Sequence, residues 1–209
     1  MFKRIFHCLL GLLGIRRLRE HSFFATLLAR PAAVADFGAH QGEFFAALRS
    51  EHPVSRGLLI EADPALAESL KQTFGNDADV VHAAAVGENK QGPVTFTRSI
   101  EPESSSVFKE WSAAYGIADQ VTVPTLDFSD AFKRLGGRID LIKMDVEGAE
   151  IEILESASAS DLANCAQLTV EFHEKRPPFT RRHVDRVCRR MRAEGYGIVM
   201  VNWPKVDDV

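Results

Sequence analysis

IDLIKMDVEGAEIEILESA, residues 139–157, is the stretch whose reading decides the fold. It opens on an apolar run, Ile139, Leu141, Ile142 and Met144, too short for a helix and of the right length for a buried strand. The run stops at a cluster of carboxylates, Asp145, Glu147 and Glu150, with Gly148 among them. From Ala149 the spacing turns helical: Ala149, Ile153 and Ala157 share a face with Leu154, while Glu152 and Glu155 point away. A strand that passes into a helix through acidic residues sets those acids at the carboxyl edge of a sheet, where open α/β sheets bind ligands. Asp145, which ends the strand, is therefore expected to line a pocket. Glu147 and Glu150 have a second explanation, because carboxylates in a first helical turn complement the helix dipole by about 0.3–1 kcal/mol each.

Working outward, AAVADF (32–37) predicts a short buried strand that runs into Gly38-Ala39-His40-Gln41-Gly42 and then a helix from Glu43 to Arg49. Strand, glycine turn and helix together bring backbone N–H groups toward a ligand. The spacing from Asp36 is D-x-G-x-x-x-G and not the dinucleotide pattern G-x-G-x-x-G. A second strand, 57–60, ends in Glu61; Asp63 then suits a helix cap, Pro64 a first helical position, and Leu66, Leu70 and Phe74 a buried face. An acid in the place of Glu61, about twenty residues past the turn, can hold both hydroxyls of a ribose.

A third strand is expected over 79–86, with short β-segments at 94–97 and 121–123. Ser104, Ser105, Ser106, Trp111 and Tyr115 form a polar and aromatic patch in the longest irregular region, of the kind that serves as a binding lid or a solvated turn. Asp127 suits the cap of a helix over 128–135 that Gly136 and Gly137 end. QLTVEFH (167–173) reads as a strand with Glu171 and His173 on one side. A helix follows from Thr180, with Val184, Val187, Cys188 and Met191 on its apolar face, and a last strand over 196–201. Apolar strands alternating with helical patterns give an α/β fold, a mostly parallel sheet flanked by helices with right-handed crossovers.

The chain has 209 residues, a net charge of −4 and 45% hydrophobic residues, which suits one globular domain, placed at 31–209. Cys8, Cys165 and Cys188 are widely spaced, odd in number and form no C-x-x-C, which excludes a zinc ribbon, argues against a disulfide framework and points to a reducing, cytoplasmic compartment. Residues 1–30 read as an amphipathic helical extension, with Phe2, Ile5, Phe6, Leu9 and Leu13 on one face. Its apolar centre is too short to span a bilayer. Packing on the domain is the expectation, and peripheral membrane contact through residues 1–19 the alternative. Six arginines between 181 and 192 read as a solvated helix face and not a nucleic-acid surface, since the net charge is negative and no aromatic residues are interleaved.

Four segments resemble the FkbM family of S-adenosylmethionine-dependent methyltransferases: ADFGAHQGEF (35–44), LLIEADP (58–64), VPTLD (123–127), and 139–157 followed by TVEFH (169–173). The resemblance spans residues 34–201 and implies the Rossmann-like class I methyltransferase fold with S-adenosylmethionine as cofactor. It implies that Asp36, Gly38 and Gly42 surround the methionine part of the cofactor. Ala39, His40 and Ala62 would add contacts, and Glu61 would hold the ribose. Asp145, Glu147 and Glu150 would lie beside the methyl group or its acceptor, a hydroxyl on a sugar, glycan or other small molecule. His40 stands where the family more often has asparagine, and little chain follows 196–201 to form the seventh, antiparallel strand usual in the class.

A neutral hydroxyl is a poor nucleophile and needs a base. His173, at a strand end and of a residue type that titrates near neutrality, is the first candidate, with Asp145 second and Glu147 beside them. Asp145, Glu147, Glu171 and His173 offer oxygen-rich ligands of the kind magnesium or manganese takes, but no tight spacing demands an ion and none is expected. Two rival readings share the sheet: a nicotinamide-dependent dehydrogenase, and a non-catalytic domain that binds a partner.

Overall fold

Small and branched apolar residues make β3 (Ala32–Phe37), every residue of which is buried, and β10 (Leu141–Met144), likewise buried throughout. These two strands lie side by side in parallel, with Asp36 opposite Lys143. β4 (Val54–Glu61) and β5 (Asp79–His82) extend the sheet beyond β3, and β11 (Leu168–Val170) extends it beyond β10, giving the all-parallel order β11-β10-β3-β4-β5. The chain therefore builds outward from β3 in one direction and then returns to its other flank. That reversal places a topological switch point at the carboxyl ends of β3 and β10, where such sheets bind ligands. The structure, a computed structural model, describes residues 14–88, 90, 92–174 and 179–200.

Helices cover the sheet where the spacing predicts them. α1 (Glu43–Glu51) starts behind Gly42, and α2 (Pro64–Phe74) is capped by Asp63, whose Oδ1 accepts from the N–H groups of Ala65 and Leu66 at 2.8 and 3.1 Å. A short α3 (Lys109–Ala113) follows, then α4 (Phe128–Arg134), capped by Asp127. α5 (Glu150–Ser156), α6 (Ala159–Ala163) and α7 (Arg181–Ala193) complete the layers. Phe37, Phe128, Ile60, Ile139, Ile142 and Met144 are fully buried in the main core, each worth about 1.5–3 kcal/mol of transfer free energy.

The expected third strand is two strands. After β5 the chain leaves β4, with Ala83 N–H bonded to Glu61 C=O at 2.9 Å, and β6 (Ala84–Val86) pairs in parallel with β9 (Thr125–Asp127). The cause is the turn of β4 into α2 at Glu61, which ends the available edge. Between these strands β7 (Val94–Ser99) and β8 (Ile117–Val123) form an antiparallel hairpin.

Three expectations need correction. Ile15–Leu18 (β1) and His21–Phe24 (β2) form an antiparallel hairpin where a helix over 1–30 is expected, while residues 1–13 of that helix lie outside the described residues. Leu18 and Phe23 bury against Val34, Phe44 and Leu141, so packing on the sheet holds this segment as strands. The strand over 167–173 shortens to β11. Residues 196–200 form no strand, and residue 201 lies outside the described residues. The Tyr196 hydroxyl instead donates to the carbonyls of Leu162 and Cys165, at 2.6 and 2.9 Å, and ties this segment to the end of α6. Among the described residues no antiparallel strand joins the five-stranded sheet, and no described helix is long and apolar enough to cross a membrane.

Candidate active site

A cleft of about 1230 Å³ opens over the carboxyl edge of the sheet. Small-molecule sites measure roughly 300–1,000 Å³, so the space suits a cofactor and an acceptor together. Of the residues expected at the site, Gly38, Ala39, His40, Glu61, Ala62, Asp145 and Glu147 line this cleft; Asp36, Gly42, Glu150 and His173 do not.

Gly38 sits at the switch point with φ +75°, and a β-carbon there would lie 1.9 Å from the carbonyl oxygen of Asp145. The two strand ends approach so closely that only glycine fits. His40 also adopts a left-handed conformation, φ +50°, which histidine and asparagine tolerate better than most residues. Gly42 serves packing: a β-carbon there would meet the Phe74 ring at 2.4 Å. Four of the five N–H groups of the turn are engaged within the chain. Gly38 and Ala39 donate to Ile60 C=O, Gly42 donates to Ala39 C=O, and His40 donates to Glu61 Oε2 at 2.7 Å.

Glu61 is 7% exposed, and its other oxygen, Oε1, accepts from Asp63 N–H at 2.8 Å. Burial pushes this carboxyl above its ordinary value, and the two amide donors pull against that rise. Each oxygen keeps lone-pair capacity on the side that lines the cleft, a fixed bidentate acceptor.

Asp36 lies beneath the turn, fully buried, and neither of its oxygens makes a hydrogen bond. Its charge is met by Lys143, whose Nζ is 3.2 Å from Oδ1 and donates to Gly38 C=O at 2.6 Å. Burial pushes the Asp36 carboxyl up, and Lys143 opposes the rise. Asp36 and Gly42 therefore act on the turn from behind and do not face a ligand. Lys143, a charged residue inside an otherwise apolar strand, is the sequence signal for this pair, because a buried lysine needs a buried partner.

Two cations, Lys143 and His173, and the ring of His21 surround Asp145. His21 Nε2 and Lys143 Nζ each lie 3.8 Å from Oδ2, and His173 Nε2 lies 3.7 Å from Oδ1. Burial alone would raise the Asp145 pKa, but His21, Lys143 and His173 outweigh it and hold the carboxylate well below its usual range.

The turn after Asp145 is built around Glu150. That side chain is fully buried, folds back over the start of α5, and accepts from Val146 N–H at 3.0 Å and from Gly148 N–H at 3.1 Å. It also meets His173 Nδ1 at 2.9 Å. Glu150 is thus a clamp and not an acceptor contact. Glu147, with φ +52°, points the other way into the cleft. Its Oε2 accepts from Trp111 Nε1 at 2.9 Å and lies 3.4 Å from His173 Nε2, while its carbonyl accepts from Ser106 Oγ at 2.6 Å. The expected lid is therefore fastened to the site: Ser106 is 1% exposed and Trp111 5%, neither in a solvated turn.

His173 needs correction as the candidate base. Burial would lower its pKa, but hydrogen bonds to Glu147 and Glu150 push it up to about 12, so the ring is an imidazolium at neutral pH. Both nitrogens face carboxylates, and a cation so held takes no further proton. Glu147 is the opposite case. Burial pushes its carboxyl up, against the pull of His173.

Among the described residues two groups have the spacing to hold a metal ion, His21 with Asp145 and Glu171, and Asp145 with Glu150 and His173. In the second, His173 is already committed as a cation. In both, Lys143 beside Asp145 supplies positive charge that an ion would otherwise bring.

A family model described as the methyltransferase FkbM domain matches residues 36–198. A crystal structure of methyltransferase FkbM from Methylobacillus flagellatus is similar, with a TM-score of 0.45 and 19% identity over 71% of this chain and 35% of that one. The chain spans about a third of the length of that protein. No curated protein matches the chain.

Proposed function

From the premise that the chain belongs to the FkbM methyltransferase family, we propose that it transfers a methyl group from S-adenosylmethionine to a hydroxyl of a small-molecule acceptor. The observation that carries the choice of donor is the doubly held carboxylate of Glu61, beside a turn in which four of the five amides are already engaged. A dinucleotide needs free N–H groups for its pyrophosphate. S-adenosylmethionine has a ribose for Glu61 and no phosphate, so it needs none of the amides that the turn has already engaged.

When bound, the donor supplies an electrophilic methyl group carried on a sulfonium. The chain supplies placement, charge and a base. Asp145 and Glu147 are neighbours whose environments push their pKa values apart, and such a split assigns roles. Asp145, permanently ionised, is a fixed negative charge at the switch point. Glu147 takes the acceptor's proton on Oε1, since Trp111 and His173 occupy Oε2. His173 keeps Glu147 in place and does not exchange protons itself. Further carboxylates line the cleft, among them Glu20, Glu103, Glu171 and Glu174, and they accept hydrogen bonds from an acceptor rich in hydroxyls, such as a sugar or glycan.

The arginines of α7 support a small molecule over nucleic acid. Arg186 pairs with Glu155, Arg181 with Asp185 and Glu174, and Arg190 donates to the carbonyls of Leu154 and Ala157 at the end of α5. Calorimetry with S-adenosylhomocysteine and with reduced nicotinamide dinucleotide tests the proposal. Saturable heat is expected for the first alone, and heat for the dinucleotide alone would sink the methyltransferase reading.

A further inference from the structure

One face of β11 is covered and the other stands partly open. On the covered face Thr169 Oγ1 lies 3.4 Å from His21 Nδ1, and the Gln167 side chain accepts from Phe24 N–H at 2.9 Å and donates to Phe24 C=O at 3.1 Å. The alternate residues, Leu168, Val170 and Phe172, turn to the opposite face. There they pack against the main core but stay only half-buried, because β11 ends the sheet and no described strand lies beyond it.

Facing them is α7. It starts at Arg181, whose Nη1 lies 3.3 Å from Glu174, and it turns Cys188 and Met191 toward the same space. At the amino end of β11 stands Tyr196, its hydroxyl committed to the carbonyls of Leu162 and Cys165. Val199 and Met200, 58% and 47% exposed, form the rim. The result is a groove between β11 and α7, apolar along its length and with an ion pair at one mouth. An apolar surface rimmed by polar groups in this way marks a binding groove.

The groove and the cleft over the sheet edge form one cavity. Phe172 joins them, since it directly precedes His173, whose Nε2 lies 3.4 Å from Glu147 Oε2. At about 3.3 Å per residue, Phe172 to Leu168 spans roughly 13 Å. A guest in this channel meets no charge and no uncommitted hydroxyl beyond the ion pair, so what the channel suits is hydrocarbon.

We propose that the groove holds the hydrocarbon tail of the methyl acceptor, which is therefore an amphiphile: its hydroxylated head lies against Glu147, and its tail runs along β11 toward Tyr196. The inference rests on the methyl-transfer reading above and narrows its acceptor to one class. Each methylene buried in the groove strengthens binding about fourfold.

The test uses the full chain saturated with S-adenosylhomocysteine and titrated in a calorimeter with n-alkyl glucosides, butyl to octyl, below their micelle concentrations. Affinity is expected to rise about fourfold for each methylene added. Val170→Asp puts a charge on the floor of the groove and Met200→Glu puts one on its rim. Each is expected to cut the preference for octyl over butyl glucoside by about tenfold or more, with affinity for S-adenosylhomocysteine unchanged. A general loss of structure would lower donor binding as well.

A flat series with the donor bound, as follows if residues 201–209 or a second copy of the chain fill the groove, overturns the inference and leaves the donor reading standing. A rise that V170D leaves untouched overturns it too, because the tail then binds elsewhere. Should V170D not fold, M200E at its exposed position decides in the same way. No heat with S-adenosylhomocysteine removes the donor reading and this inference with it.

Discussion

Replacing His173 by glutamine takes one positive charge from among three carboxylates while keeping most of the side chain's volume. Glu150 is fully buried and Glu147 largely so, so neither charge can be re-solvated without opening the turn. Removing one partner of a buried ion pair costs about 3–5 kcal/mol. The glutamine amide retains one neutral hydrogen bond to Glu150, worth about 1 kcal/mol, which leaves a loss of about 3 kcal/mol. At about 2–4 °C per kcal/mol for a domain of this size, the melting temperature should fall by about 9 °C.

The same variant carries a pH signature. A histidine whose pKa rises to about 12 on folding contributes its full stability below its unfolded value near 6.5, and loses it as pH climbs toward 12. The gap between wild type and H173Q should therefore narrow from about pH 7 to about pH 10. Urea unfolding followed by circular dichroism at these two pH values measures it. A melting temperature within about 2 °C of wild type, or a gap that widens with pH, would refute the imidazolium and the clamp together.

Further predictions concern the neighbouring residues. Glu147→Gln should lower methyl transfer by about 10²–10⁴-fold with S-adenosylhomocysteine affinity unchanged, measured as product formed per enzyme on any acceptor that wild type methylates; equal loss of both would assign Glu147 to binding. Lys143→Met strands the buried carboxylate of Asp36 and should cost about 3–5 kcal/mol in chemical denaturation. Adding Asp36→Asn should recover part of that loss, and strictly additive effects would show that the two do not form a pair. Gly38→Ala should destabilise by more than about 4 kcal/mol or prevent folding, because its β-carbon falls on the Asp145 carbonyl; a near-native melting temperature would mean that the strand ends can part.

The parallel sheet is legible in the sequence because its signals are local. An apolar run, an acid and a helical spacing succeed one another in 139–157, and Asp63, Asp127 and Thr180 stand where their helices begin. Glu61, Asp145 and Glu147 can be placed at the ligand edge for the same reason. What sequence spacing misses depends on distant segments meeting. His173 at the end of TVEFH reads as a base, and only the fold brings Glu147 and Glu150 against its two nitrogens. Asp36 reads as part of a ligand turn, and the parallel register with β10 turns it toward Lys143 instead. The hairpin is the clearest case: residues 15–24 fall inside the stretch expected as a helical extension, and their strand pairing is fixed by Gln167 and the sheet beneath.

The tethering of the 99–116 segment divides it by tolerance to change. Ser106 and Trp111 grip the Glu147 turn, and Ser99 and Ser112 rivet the segment to itself, so substitutions at these places disturb the Glu147 turn directly. Ile100 at the outer tip, 70% exposed, carries no such duty. Residues 100–103 can therefore be exchanged with the least disturbance to the Glu147 turn, although Pro102 and Glu103 among them border the cleft.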